Sequence, residues 1–277
     1  VHFAPAAVGQ AAAIQHISDS LDFVTIINEV KTGAAGSGDN VYAYSAPYSN
    51  KIYLRGSYGK DLKKTIEISV PDPALAAASA LQKQLATQEI SSSHAPTTGK
   101  ALQDSALTIA SEKVELDVHE SPKLSEIVYW FNQKSINLYG EAMLKTIGIL
   151  SNNKSNSSDA GYMVSKYWEQ KLKINLGELH IEDGSGLSAQ NRVTSAAMAR
   201  IMQYAKGRPW HASFLKSLPT VNGIAMKSGT IAGVLGYTGY HESKSGQSYT
   251  FSLLVNNYQG NSRAMRQNMF TLLDVLK

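Results

Sequence analysis

The chain has 277 residues, enough for one large domain or a domain with a smaller companion. Its 43% hydrophobic and 17% charged residues describe an ordinary globular chain with ample core, and a net charge of +4 demands no nucleic-acid partner. The absence of cysteine excludes disulfides, thiolate metal sites and a thiol nucleophile.

Residues 1–22 are Ala-rich and show no clear period. Residues 21–30 are dense in Phe, Val, Thr and Ile and read as a strand, followed by a glycine-rich loop over 32–40. Residues 41–44, 51–57 and 65–70 read as further short strands, with a polar turn at 60–64. This opening, residues 1–70, reads as a small β-rich domain or part of an insertion, and residues 71–277 as the main domain.

Asp72 and Pro73 mark a helix start, the first as N-cap and the second where its missing N–H costs nothing. Ala74, Ala78, Leu81 and Leu85 continue it. Residues 91–100 read as a polar linker, and 106–110 and 113–119 as strand-like runs. Ser121-Pro122 reads as a second helix start by the same device. Leu124, Ile127, Val128 and Phe131 then give an apolar stripe at i, i+3, i+4, i+7. That helix is expected to end near Lys134, and a new one to run from Leu138 to Gly148. Ser135-Ile136-Asn137 therefore falls at a break, where side chains can point into a cleft.

Residues 151–160 read as a Ser/Asn loop, 163–172 as a helix, and 178–181 as a short strand entering Asp183-Gly184-Ser185-Gly186. Thr194 caps a helix to about Met202. Residues 224–228, 234–241 and 248–256 read as antiparallel strands, and 262–276 as a closing helix. The expected class is α+β with a mostly antiparallel sheet.

No run of about 18 apolar residues is present, so no membrane span is expected. No basic segment followed by an apolar run opens the chain, so no signal peptide is expected in it. The seven histidines are scattered without ligand spacing, which points to surface or capping roles; no metal and no cofactor are expected. Asp183 reads as a brace for a glycine-rich turn ahead of an acid. Gly184-x-Gly186 is too short for a nucleotide loop.

Three stretches carry chemistry. Met226-Lys227-Ser228-Gly229-Thr230 is an extended segment placing an ammonium, a hydroxyl and a bare glycine in succession. A substrate backbone can lie against such an edge while the cation holds a carboxylate. Alternation sends Lys227 and Gly229 to one face and Ser228 to the other. Taken alone, the tripeptide is short and common and is better read as a lysine at a strand start followed by a turn. With Ser135-Ile136-Asn137 and Asp183-Gly184-Ser185-Gly186-Leu187-Ser188 in this order, the chain resembles the penicillin-recognising serine D-Ala-D-Ala peptidases. It is most similar to carboxypeptidases and endopeptidases of the penicillin-binding protein 4 type. Gly239-Tyr240 and the run from Tyr249 to Asn257 resemble that family's closing hairpin.

The resemblance implies part of a serine β-lactamase/transpeptidase-like domain plus a small β-rich inserted domain. It implies peptidoglycan stem peptides and β-lactams as partners, no cofactor, and a periplasmic or cell-envelope location. Carried over residue by residue, Ser135 passes a proton to the leaving amine and Asn137 holds the substrate amide. Lys227, Ser228 and Gly229 bind the terminal carboxylate, and the Thr230 N–H frames the oxyanion pocket. The family's nucleophile and base form a Ser-x-x-Lys placed before Ser-x-Asn. Ser57–Lys60 is the candidate in that order, but Gly59 and the strand pattern oppose a helix. Ser151–Lys154 and Ser213–Lys216 come too late. The expectation is that the nucleophile segment lies upstream of Val1, leaving this chain an inactive fragment by itself. The alternatives are a serine β-lactamase of the same superfamily and a non-catalytic cell-wall-binding or structural fragment.

Overall fold

The computed structural model describes residues 1–17, 21–105, 114–115, 117–153 and 156–277. Contacts gather the chain into two units, Val1–Leu116 and Asp117–Lys277.

In the first unit β1 (His2–Ala4) and β2 (Ala13–His16) form an antiparallel pair. β3 (Thr25–Asn28), β4 (Lys31–Gly33) and β5 (Asp39–Tyr44) all pair with β6 (Lys51–Gly59), the first two in parallel and the third antiparallel. Val30, Ile52, Leu54 and Tyr58 are buried there with Val1, Phe3, Ala12 and Ile66 in one apolar cluster. β4 runs into the stretch expected to be a loop, taking up Thr32 and Gly33. Its three residues pair with distant Ser57–Gly59, a non-local contact that local pattern does not announce. Residues 65–70 are not a strand, although Ile66, Ile68 and Val70 alternate. Among the described residues only Ile66 of this stretch exchanges backbone hydrogen bonds, with Val1.

α1 (Pro73–Ala86) starts as expected, the Asp72 carboxylate accepting the Leu75 N–H at 2.9 Å. α2 (Gly99–Asp104) follows, capped by Thr98. The strand-like runs at 106–110 and 113–119 fall largely outside the described residues, and Val114, Glu115 and 117–119 carry no strand.

The second unit opens with α3 (Leu124–Lys134), whose N-cap is Lys123 without a side-chain cap, so Ser121-Pro122 does not start it. α4 (Asn137–Asn152) and α5 (Ser157–Leu172) take up most of the stretch expected to be loop. The Asn156 side chain caps α5 by accepting the Asp159 N–H at 3.1 Å. β7 (Leu179–His180) pairs with β8 (Arg192–Val193). Thr194 caps α6 (Ser195–Lys206) by accepting from the Ala197 N–H at 3.1 Å, and α7 (His211–Ser217) is a short helix the pattern did not show.

β9 (Thr220–Val221), β10 (Ile224–Ile231), β11 (Val234–Glu242) and β12 (Ser248–Asn256) form an antiparallel sheet in the order β12-β11-β10-β9. α8 (Ser262–Leu273) closes the unit, followed by a 3-10 turn. One face of the sheet buries Ile224, Met226, Leu235 and Tyr237 against Met269 and Leu273 of α8. The other buries Tyr240 with Met202 and Leu218 from the α6 and α7 side. The mixed helix and antiparallel-sheet class is as expected.

Candidate active site

β10 is built by strict alternation. Ile224 and Met226 turn into the α8 core, so Ala225 and Lys227 belong to the opposite face. β9 is only two residues long and pairs with Ile224 and Ala225. The Met226 N–H then donates to the Pro219 carbonyl at 2.9 Å. Beyond that point the outer edge of β10 has no strand partner among the described residues. Backbone groups also alternate along a strand, so Ser228 and Thr230 aim N–H and C=O at the same open edge as Met226. Ser228, Gly229 and Thr230 are exposed. A Cβ at Gly229 would meet nothing within 4 Å, so the glycine keeps clear space beside that edge.

The second half of the site is a break between helices. α3 ends at Lys134, and Ser135 swings into the left-handed region at φ 52°, ψ 49°. Ile136 returns to extended backbone and Asn137 begins α4. A non-glycine residue with this backbone is strained unless its surroundings hold it. Here they do: the Lys227 ammonium hydrogen-bonds the Ser135 hydroxyl across 92 positions of sequence. Lys227 Nζ also donates to its neighbour's carbonyl, Ser228 O, at 2.9 Å. Lys227 is half-buried, and burial lowers its pKa from the ordinary 10.5. Among the described residues no carboxylate pairs with it. It is a partly desolvated cation beside an open strand edge.

The third motif docks against α4. Gly140 and Gly184 touch backbone to backbone, and a Cβ on either would stand 2.2 Å from the other's carbonyl oxygen. Glu141 clamps the contact, accepting the Gly184 N–H at 2.9 Å and the Ser157 hydroxyl. The Ser157 hydroxyl holds the Glu141 carboxyl below its usual range, against the opposing effect of burial and with help from the Gly184 N–H. Asp183 faces inward to its own loop, accepting the Gly186 N–H at 2.6 Å and the Ser188 N–H at 2.7 Å. Burial pushes its pKa up, but the Asn191 amide and these N–H donors outweigh it and the net direction is down. Both oxygens are occupied, the arrangement of a brace.

Of the six residues singled out from sequence, Ser135 and Lys227 are in contact. Asn137 lies two positions beyond Ser135 in the same break, and Ser228, Gly229 and Thr230 follow Lys227 along the open edge. Sequence reasoning passed over Asn132 and Ser217. Asn132 falls at i+8 from Leu124, on the stripe of Ile127, Val128 and Phe131, and a polar residue on an apolar stripe was the signal. It is buried, and its amide donates to the Ser217 hydroxyl at 2.7 Å.

The Ser-x-x-Lys strings are placed as follows. Ser57 sits in β6. Lys154 lies outside the described residues. Ser213 and Lys216 do lie one turn apart on α7, in a groove lined also by Ser125, Glu126, Tyr129 and Trp130. None of the six site residues lines that groove. Among the described residues no group of three or more His, Asp or Glu could hold a metal, and no helix is long and apolar enough to cross a membrane.

The model of the D-Ala-D-Ala carboxypeptidase 3 (S13) family matches residues 1–276. This chain belongs to that family. A D-alanyl-D-alanine carboxypeptidase from an Actinomadura species is 26% identical over 282 residues, covering 94% of this chain and 51% of that protein. A penicillin-sensitive carboxypeptidase A from Dictyostelium discoideum is 31% identical over 115 residues, covering 40% of this chain and 21% of that protein. The crystal structure of penicillin-binding protein 4 from Haemophilus influenzae, in complex with a β-lactam, matches with a TM-score of 0.73 at 17% identity. That match covers 100% of this chain and 68% of the crystallised one, and it shows the transpeptidase-like fold. The S13 chain thus spans about half the length of its Actinomadura relative.

Proposed function

We propose that this chain supplies the proton-transfer and substrate-holding half of a serine D-Ala-D-Ala carboxypeptidase or endopeptidase. The enzyme cleaves peptidoglycan stem peptides in the cell envelope through an acyl-enzyme, and β-lactams acylate it. The observation that carries this reading is the Lys227–Ser135 contact, which joins two motifs 92 positions apart. In this reading residues 1–70 belong to a β-rich inserted domain and residues 71–277 to the C-terminal part of the transpeptidase-like domain.

The chemistry follows from what each group can do. An extended peptide lies along the open edge of β10, and its terminal carboxylate meets the Lys227 ammonium, while a twist of the strand at Gly229 brings the Ser228 hydroxyl from the other face to the same rim. The Asn137 side chain holds the substrate amide. A serine nucleophile attacks the penultimate carbonyl, and the Thr230 N–H, aimed at the same edge, helps stabilise the oxyanion. Collapse of the tetrahedral intermediate needs a proton on the departing D-Ala amine. The Ser135 hydroxyl delivers it while taking up the nucleophile's own proton, handed on by the Ser-x-x-Lys amine, and the Lys227 N–H donor holds the Ser135 oxygen in line. Water then hydrolyses the acyl-enzyme by the same route in reverse.

The nucleophile itself belongs to a Ser-x-x-Lys segment outside this chain. Ser57 is in a strand and therefore lacks the one-turn spacing that brings a lysine to a serine hydroxyl. Intact-mass spectrometry after incubation with benzylpenicillin tests the reading. The chain alone stays unmodified, and the longer protein carrying its own upstream segment gains one adduct on the serine of that segment. A stoichiometric adduct on Ser57, Ser135 or Ser213 of the chain alone overturns the assignment. No adduct on the longer protein favours the non-catalytic binding module. Binding of a D-Ala-D-Ala peptide should also weaken as pH rises through the Lys227 pKa, with a midpoint below 10.5 in the free protein because burial lowers it. A pH-independent affinity between 7 and 11 would remove Lys227 from the carboxylate site.

A further inference from the structure

The Ser135–Lys227 contact is made at the surface, between two exposed or half-buried groups on different elements. Nothing in a surface contact of one flexible lysine fixes the distance between those elements. Three positions before Ser135 in the chain lies a buried polar junction. Asn132 is 7% exposed and Ser217 is 0% exposed. The Asn132 amide donates to the Ser217 hydroxyl at 2.7 Å, and that hydroxyl donates onward to the Phe214 carbonyl at 2.6 Å. The Gln133 amide donates to the Ser217 carbonyl at 3.0 Å. Two consecutive residues of α3 thus hold the side chain and the backbone of one α7 residue.

The covalent path from this junction to the site is short on both sides. Asn132 precedes Ser135 by three positions on α3. Ser217 is followed by buried Leu218, then Pro219, whose carbonyl accepts the Met226 N–H, and then β9, which pairs with Ile224 and Ala225. Lys227 is the residue after Met226. The closed loop Ser135–Asn132–Ser217–Pro219–Met226–Lys227 therefore contains only short covalent steps and hydrogen bonds. A buried hydrogen bond is directional and is costly to leave unmade, so it sets a separation that apolar packing cannot set.

Building on the proposed reaction, we infer that Asn132, acting through Ser217 with Gln133 alongside, is a positioning residue that sets Ser135 against Lys227 for proton transfer. It touches no substrate. Its role is to fix the end of α3 relative to the start of β10.

The test uses the longer penicillin-reactive protein with a D-Ala-D-Ala peptide, and this chain for lysine titration by NMR with Lys227 assigned from Lys227→Arg. Asn132→Ala and Ser217→Ala should each lower kcat on the order of tenfold at nearly unchanged KM, and the double variant should lose about as much as either single one. In the same variants the Lys227 titration midpoint should move up toward 10.5 as the end of α3 loosens and water reaches the amine. Asn132→Asp supplies the readout that a structural role would not move. Its protonated carboxyl can donate to Ser217 as the amide does, so kcat should approach wild type at acid pH and fall as the group ionises. A loss that is pH-independent and tracks only the thermal midpoint, or losses that simply add in the double variant, would overturn the inference. If Ser135→Ala and Lys227→Ala leave turnover intact, the site assignment has failed instead. If those two abolish it while Asn132→Ala retains wild-type kcat and an unmoved Lys227, only the positioning role has failed.

Discussion

In the first unit, Val30, Ile52, Leu54 and Tyr58 anchor one continuous apolar cluster, and the fully buried polar side chain there is Thr32, whose hydroxyl accepts the Ala6 N–H at 2.9 Å. In the second, the apolar residues fall into three smaller clusters, around Met226, Ile174 and Met202, and Asn132, Ser165 and Ser217 are buried among them. Hydrophobic burial is non-directional and tolerates small shifts of one element over another. A site that must keep a hydroxyl and an ammonium at hydrogen-bond distance needs directional contacts as well. The first unit is held by apolar area; the second adds angles.

Four substitutions separate these two modes, in falling order of effect. Leu54→Ala empties a fully buried position in the first unit and should cost about 3 kcal/mol of that unit's stability, read from denaturant unfolding. The Lys227 titration should not change with it. A shifted Lys227 would mean that the two modes are coupled after all.

Lys227→Ala in the longer protein should lower kcat/KM by roughly 2 kcal/mol, about thirtyfold, by deleting the proposed charge-assisted contact to the substrate carboxylate. Thermal stability should hardly change, because the lysine forms no ion pair among the described residues. Steady-state kinetics beside a melting curve reads both, and a stability loss with intact kinetics would contradict the assignment.

Glu141→Gln tests the polar mode at the Asp183 loop and should cost about 1 kcal/mol at neutral pH. The folded state holds this carboxyl below 4.5, so its contribution is complete above that value and disappears as pH falls through the lowered pKa. The variant should therefore show a flatter stability profile than wild type below pH 5, measured by thermal melts across pH. A parallel profile would mean Glu141 is not the group titrating.

Ser228→Thr should be the mildest, changing kcat/KM by less than twofold, since the hydroxyl is kept and the position is exposed. A large loss would place the threonine methyl against the substrate.

The sheet and the motif elements were largely legible from sequence. Alternation of Ile224, Met226 and their neighbours gave the three long strands, and Asp72-Pro73 and Thr194 gave two helix starts. The interruption of the 3.6-residue period at Ser135 placed the break that the backbone shows. What escaped depended on distant partners or on length. β4 exists because Ser57–Gly59 is there to receive it. α7 spans seven residues, too few for an apolar stripe to declare itself. The contact between Lys227 and Ser135 was legible, since both lie in motifs that come in a recognisable order. Asn132 and Ser217 were not, because a hydrogen bond spanning 85 positions leaves no local trace beyond one polar residue where an apolar one is expected.

The left-handed backbone of Ser135 has an evolutionary consequence. At φ 52° a serine costs about 1 kcal/mol that glycine or asparagine would relieve. A library of this gene selected only for survival at high temperature should therefore enrich Gly or Asn at position 135. Such survivors would fold better and lose the hydroxyl. In the proposed reaction, heat resistance and turnover then pull this codon in opposite directions, and selection for the reaction is what would keep it serine.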